Sequence, residues 1–187
     1  MERVQMKQLA KRAIQGDSDA FAQLIELNNQ SMYKVARAYF TNDADIADVM
    51  SETILTCFEK IHTLRRPEYF KTWLLRILIN QCNQMVREKN REVTIAEFAD
   101  IMDESSQYAL VEFKELLGQM DEKYRIVLVL YYVEGFKIKE IAELLNMKEN
   151  TIKTHLKRGK NNLKKEYDSL SKKQDSTKKR IVPFRKE

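Results

Sequence analysis

The sequence predicts an all-α protein: two small helical domains joined by an acidic linker, the C-terminal one a helix-turn-helix. Three observations carry that prediction. The 187 residues include only 4 Gly and 2 Pro, too little material for hairpins and tight loops. Apolar residues recur at steps of three and four along most of the chain instead of alternating. Residues 92–109 interrupt this pattern with 5 acidic side chains and no basic one, which divides the chain into two periodic halves.

Residues 3–14 show weak periodicity through Val4, Leu9, Ala13 and Ile14, and Gly16 marks a break. A first long helix is expected from Asp19 to Tyr39, capped by Asp17 or Ser18, with Phe21, Leu24, Ile25, Met32, Val35, Ala36 and Tyr39 gathered on one face. After a turn at residues 41–43, a second helix from Ala44 to Ile61 would bury Ile46 or Ala47, Val49, Met50, Thr53, Ile54, Cys57, Phe58 and Ile61. That leaves Asp45, Asp48 and Glu52 as an acidic surface, either plainly solvated or offered to a basic partner. Residues 62–68 read as a loop, with Pro67 suited to the first turn of the helix that follows. This third helix, Glu68 to Arg91, carries Tyr69, Phe70, Trp73, Leu74, Ile77, Leu78, Cys82 and Met85, and its basic end at Arg87, Lys89 and Arg91 complements the helix dipole. Residues 1–91 thus form one domain and residues 92–107 the acidic linker.

The second domain, residues 108–167, is expected to hold four short helices: Tyr108–Leu117, Asp121–Tyr132, Ile138–Leu145 and Thr151–Tyr167. Its core would draw on Val111, Leu116, Leu117, Ile126, Leu130, Tyr131, Ile141, Ile152 and Leu163 among others. Residues 168–187 lack periodicity and read as a flexible basic tail. Of the chain's formal charge of +5, residues 150–187 alone contribute +9, from 13 basic and 4 acidic side chains. That end of the molecule can meet phosphates or acidic lipid.

Residues 134–163 have the layout of a helix-turn-helix. Ile138, Ile141, Ala142 and Leu145 form the inner face of a short helix, and Ala142 is small enough to let a second helix cross close by. Asn146 stands where the helix must stop and tolerates a left-handed backbone. Met147 can fill the crevice, Asn150 or Thr151 can cap the next helix, and Ile152, Leu156, Gly159 and Leu163 face inward. For reading DNA this leaves Asn150, Lys153 and Thr154 as base-edge candidates, with Lys157, Arg158 and Lys160 for phosphates. The plainer alternative is a small helical hairpin with a charged exterior.

Several functions are excluded or disfavoured. Cys57 and Cys82 are the only cysteines and cannot build a disulfide scaffold or, with His62 and His155, a zinc site. No metal or other cofactor is expected. Four scattered glycines make no phosphate cradle and no catalytic constellation is present, so the chain does not read as an enzyme. No apolar run reaches the roughly 20 residues of a membrane span, and Met1–Lys7 opens no signal segment. Direct membrane insertion is not expected, and cytoplasmic residence follows as the default.

With these residues laid out, the chain resembles an extracytoplasmic-function, or group 4, sigma factor of the bacterial sigma-70 family, over about residues 15–91 and 108–167. Asp45-Ile-Ala-Asp48-Val-Met-Ser-Glu52-Thr53 is similar to the region 2 helix that binds RNA polymerase's largest subunit, with Ser51 where the family usually has Gln. Tyr69 through Ile77 resembles the next part of that region, which helps recognise the minus-ten element. Glu134-Gly135-Phe136 through Leu163 is similar to region 4, which binds the minus-35 duplex, with Asn146 and Gly159 where Gly and Ala are usual. The resemblance implies Asp45, Asp48 and Glu52 as polymerase contacts. It implies His62, Leu64, Arg65 and Arg66 as walls of a pocket for a flipped base, and Lys71, Arg76 and Arg87 as further minus-ten contacts. The partners it implies are core RNA polymerase, promoter DNA and an anti-sigma factor, often membrane-tethered. An autonomous two-domain DNA-binding regulator, and a protein-binding interaction module, stand as alternatives.

Overall fold

The computed structural model describes residues 2–92 and 120–178, and every regular element among them is helical. Helix α1 (Glu2–Ile14) stops where Gly16 takes a φ of +94°, a left-handed conformation costly for any residue with a Cβ. The chain restarts at once in α2 (Ser18–Tyr39), because the Asp17 carboxylate accepts the Ala20 amide at 2.9 Å. That bond, with the Arg12 guanidinium 2.8 Å away, holds the Asp17 carboxyl below its usual range. Helix α3 (Asp43–Lys60) is capped by Asn42, whose Oδ1 accepts the Asp45 amide at 2.8 Å. Two 3₁₀ turns, Ile61–Thr63 and Pro67–Tyr69, lead into α4 (Phe70–Glu92). Leu24, Met32, Val35, Phe70, Leu74, Leu75 and Leu78 are fully buried between these helices. The polar residues in this core satisfy themselves locally: Asn28 donates to the Leu24 carbonyl and Thr53 to the Val49 carbonyl, both at 2.7 Å.

The inward face of α3 is as expected at Ile46, Val49, Thr53 and Cys57, but Phe58 is a correction. It is 55% exposed, its ring edge-on to Phe21 at 5.2 Å. The buried positions advance by three, four and four residues, so position 58 lies about 100° round from Cys57 and leaves the core.

In the second half, α5 (Glu122–Leu128) passes into a π-helical turn, Val129–Val133, where a single regular helix was expected. The turn closes with the Glu134 amide on the Val129 carbonyl at 3.0 Å, and Gly135 follows with a φ of +73°. Then come α6 (Ile138–Leu145) and α7 (Glu149–Lys178). The acidic linker from residue 93 onward and the expected helix 108–117, with Val111, Leu116 and Leu117, lie outside the described residues. The basic tail expected from residue 168 begins instead as a continuation of α7, because no Gly or Pro interrupts residues 168–178. Residues 179–187 are outside the described part.

The two halves do not keep separate cores. Ile126, Val127, Leu130, Phe136, Ile141 and Ile152 belong to one continuous apolar cluster with Tyr39, Leu75, Ile79 and Cys82. A helical module of about 60 residues is marginal by itself, and here it shares a core with the first half. Arg125, only 7% exposed, donates from Nε to the Ala38 carbonyl at 2.6 Å. That carbonyl is among the last four of α2, which find no partner within their own helix, so the guanidinium acts as a cap supplied from the other half. At the other end of this helical stretch, the Glu134 side chain is 2% exposed and pairs with Lys71 of α4 at 2.8 Å.

Replacing Asn42 with Ala removes the cap of α3 and is expected to lower unfolding stability by about 1 kcal/mol. Urea titration followed by circular dichroism checks this, and an unchanged midpoint would show the cap to be dispensable.

Candidate nucleic-acid and polymerase interfaces

The helix-turn-helix is assembled by local geometry. Lys137 donates its amide to the Glu140 carboxylate at 2.7 Å, closing the first turn of α6. Asn146 ends that helix at φ 52° and ψ 47°, the left-handed conformation expected of it, and the Met147 amide reaches back to the Ala142 carbonyl at 2.9 Å. The Met147 side chain, expected in the crevice, is instead exposed. Helix α7 starts two residues early: the Lys148 carbonyl accepts the Thr151 and Ile152 amides at 2.9 and 3.2 Å. Ile141, Ala142, Leu144 and Ile152 fill the space between the helices.

Gly159 has a reason visible only in three dimensions. A Cβ there would lie 3.0 Å from Leu128 Cδ1 and 3.3 Å from Tyr124 Cβ, so the residue lets α7 run close against α5. With its inner side pressed on α5, the opposite side of α7 faces solvent. Asn150, Lys153, Thr154, Lys157, Arg158 and Lys160 are all exposed, and no acidic residue occurs between Asn150 and Lys165. Thr154 donates its hydroxyl to the Asn150 carbonyl at 2.8 Å, leaving a methyl group and an acceptor pointing outward. His155, on the same helix, is half-buried with its ring edge-on to Tyr124 at 5.4 Å. Burial first, then Lys123 and Arg158, push its pKa below the ordinary histidine value, so it packs as a neutral ring.

The first half carries two other surfaces. In the loop at 62–68, His62, Arg65 and Arg66 are exposed, and Arg66 is steadied by Glu68 at 3.1 Å and by the Tyr69 face at 4.6 Å. Leu64 is a correction: at 7% exposure it belongs to the core and anchors the loop instead of lining a pocket. Arg76 and Arg87 are exposed on α4, whereas Lys71 is already engaged by Glu134. Trp73 is half-buried, tilted against Phe70 at 6.0 Å.

On α3, the three carboxylates do not act alike. Asp45 is 14% exposed, ion-paired with Lys89 and bonded to Asn42 Nδ2 at 2.6 Å, so it braces α3 against α4. Asp48 and Glu52 are exposed, near Leu55 and Phe58, which are 60% and 55% exposed. Sequence reasoning missed both apolar members of this surface, although Leu55 lies three residues from Glu52 and shares its side of the helix. Burial pushes the Cys57 and Cys82 thiols up to about 12, so neither is a nucleophile at neutral pH. Among the described residues no cluster of three or more His, Cys, Asp or Glu could hold a metal. No described helix is long and apolar enough to cross a membrane.

An outward helical face without an acidic residue from Asn150 to Lys165, set by a left-handed turn on a helical scaffold with an acidic-apolar surface elsewhere, fits a DNA-binding transcription protein. Residues 24–92 match the family model for sigma-70 region 2, and residues 110–163 that for sigma-70 region 4. The RNA polymerase sigma factor SigV of Bacillus subtilis is 28% identical, over 70% of this chain and 81% of its own length. The ECF RNA polymerase sigma factor SigM of the same organism is 30% identical, over 64% of this chain and 78% of its own. The fold is shared with the sigma factor RpoE of Bartonella quintana, solved in complex with the anti-sigma factor NepR: TM-score 0.67, 22% identity, 79% of this chain and 96% of that one. The chain belongs to the sigma-70 family, in its extracytoplasmic-function group. It is a non-enzymatic subunit that binds RNA polymerase and directs it to promoter DNA, and the autonomous-regulator reading is set aside.

The Gly159 contact predicts that Gly159→Leu overpacks the α5–α7 contact and destabilises the fold by about 2 kcal/mol. A chemical-denaturation midpoint equal to that of the unaltered chain would show that α7 does not approach α5 this closely.

Proposed function

We propose a division of labour among these surfaces. Residues 120–165 form the duplex-reading module, in which Asn150, Lys153 and Thr154 touch base edges of the minus-35 element and Lys157, Arg158 and Lys160 hold phosphates. Residues 2–92 form the module that engages polymerase and the minus-ten element. Asp48 and Glu52, with Leu55 exposed on the same side of α3, are the polymerase anchor, while Asp45 serves that anchor by bracing α3. His62, Arg65 and Arg66 stabilise an unpaired base, and Arg76, Arg87 and, once released, Lys71 hold the backbone of the opened strand. The acidic linker joins the two modules. Cytoplasmic residence follows from the polymerase it serves, and a protein inhibitor of the kind bound to the Bartonella relative is the expected regulator.

The observation that carries this reading is the exposed face of α7 from Asn150 to Lys165, which holds no acidic residue, in a chain whose α3 exposes Asp48 and Glu52. Purified core polymerase with this chain is expected to initiate from sequences in a promoter library, and no transcripts at all would defeat the reading. Reversing charge at Asp48 and Glu52 should abolish co-elution with core polymerase while the far-ultraviolet dichroism stays unchanged; retained co-elution would move the anchor elsewhere.

Replacing Lys157 and Arg158 with Ala should weaken duplex binding and flatten its salt dependence by about one unit per lost phosphate contact. An identical slope, measured by fluorescence anisotropy across a salt series, would place those side chains away from DNA.

A further inference from the structure

Lys71 and Glu134 meet across the seam between the halves, and each belongs to a segment that the family reading assigns to a separate task. The Glu134 side chain is 2% exposed, and its carboxylate sits 2.8 Å from the ammonium of Lys71, whose side chain is 35% exposed. A carboxylate so far out of water is tolerable only beside a cation. Its position is not accidental slack in a side chain: the π-helical turn ties the Glu134 amide to Val129, and Gly135 then turns the chain towards Phe136, which is buried in the shared core. Arg125 separately fastens α5 to the end of α2 through the Ala38 carbonyl. By contrast, Lys153, Lys157 and Lys160 on α7 face solvent.

We infer that Glu134 is a built-in competitor for the DNA backbone at Lys71, so that the free chain keeps its minus-ten face shut while its duplex-reading face stays open. The inference rests on the proposed role of α4 in holding the opened strand. A carboxylate and a phosphate offer an ammonium group the same thing, an anionic oxygen at hydrogen-bond distance, so the two compete for the charge of Lys71. A strand that takes Lys71 draws the counter-charge away from a Glu134 side chain only 2% exposed and brings a second anion beside it. Occupancy by DNA is therefore favoured when the corner between α5 and α6 leaves α4. Opening and strand capture are one linked equilibrium, and the closed fraction lowers the apparent affinity of the free chain for single-stranded DNA.

The test uses the full chain, a fluorescein-labelled non-template strand of the minus-ten element selected from the promoter library, and the matching minus-35 duplex. Glu134→Gln keeps the shape and removes the charge. It should bind the single strand about tenfold more tightly, the gain expected when the competent fraction rises from about a tenth to nearly all, with duplex binding unchanged. Unchanged single-strand affinity in a variant that melts like the unaltered chain would overturn the inference. Should Glu134→Gln fail to fold, donor and acceptor dyes on cysteines introduced at the exposed positions Gln30 and Asn161 report the same equilibrium in an otherwise unaltered chain. Saturating single strand should lower energy transfer, and constant transfer would overturn the inference. Lys71→Ala, assayed for promoter opening with polymerase, separates the two levels. Impaired opening upholds the role of α4 and leaves the competitor to be judged on Glu134 alone, whereas unimpaired opening removes the premise and the inference with it.

Discussion

Two charges buried at one seam, Arg125 and Glu134, govern how the halves of this molecule can be arranged. Apolar surfaces tolerate sliding, because one methyl group packs nearly as well as its neighbour. Ions do not: each costs several kcal/mol, to order of magnitude, unless its partner is in place. Arg125 must find the carbonyl end of α2 and Glu134 must find Lys71, and both conditions are met in a single register of α5 and α6 against the first half. The shared apolar cluster supplies cohesion, and the ions select the arrangement.

That arrangement treats the two proposed DNA-binding surfaces unequally. Helix α7 carries its lysines on the side turned away from the rest of the protein, and its inner side is committed to α5 through Gly159. Helix α4 has Arg76 and Arg87 in solvent but Lys71 at the seam. A sigma factor has to read a duplex and then hold an opened strand, two events separated in time. On the proposed division of labour, the surface for the first is exposed, and Lys71, in the surface for the second, is paired with Glu134.

Much of this was legible in the sequence, and the limits of legibility have a common physical cause. The helix-turn-helix was readable because its requirements are local: a left-handed residue at Asn146, a small one at Ala142, and inward apolar positions at fixed spacing. The cap at Asp17 is equally local. What could not be read depends on partners far away in the chain. Asp45 looks like Asp48 until Lys89, on another helix, claims it. Glu134 looks like a motif residue until Lys71 is beside it. Gly159 departs from the family's usual Ala for a reason that lies in Leu128 and Tyr124. Phe58 was misplaced for a subtler reason, because a stripe drawn at three- and four-residue steps does not say where the core ends around the helix circumference. The interruption of α5 by a π-helical turn left no trace in the pattern of apolar residues.

The π-helical turn at Val129–Val133 takes up one residue more than an α-helix would hold in the same turn. Because that surplus is absorbed within the turn, shortening the stretch by one residue would let the helix run regularly while what lies beyond it keeps about the same face. The turn is thus slack in chain length, a place where the register of the seam tolerates a one-residue deletion.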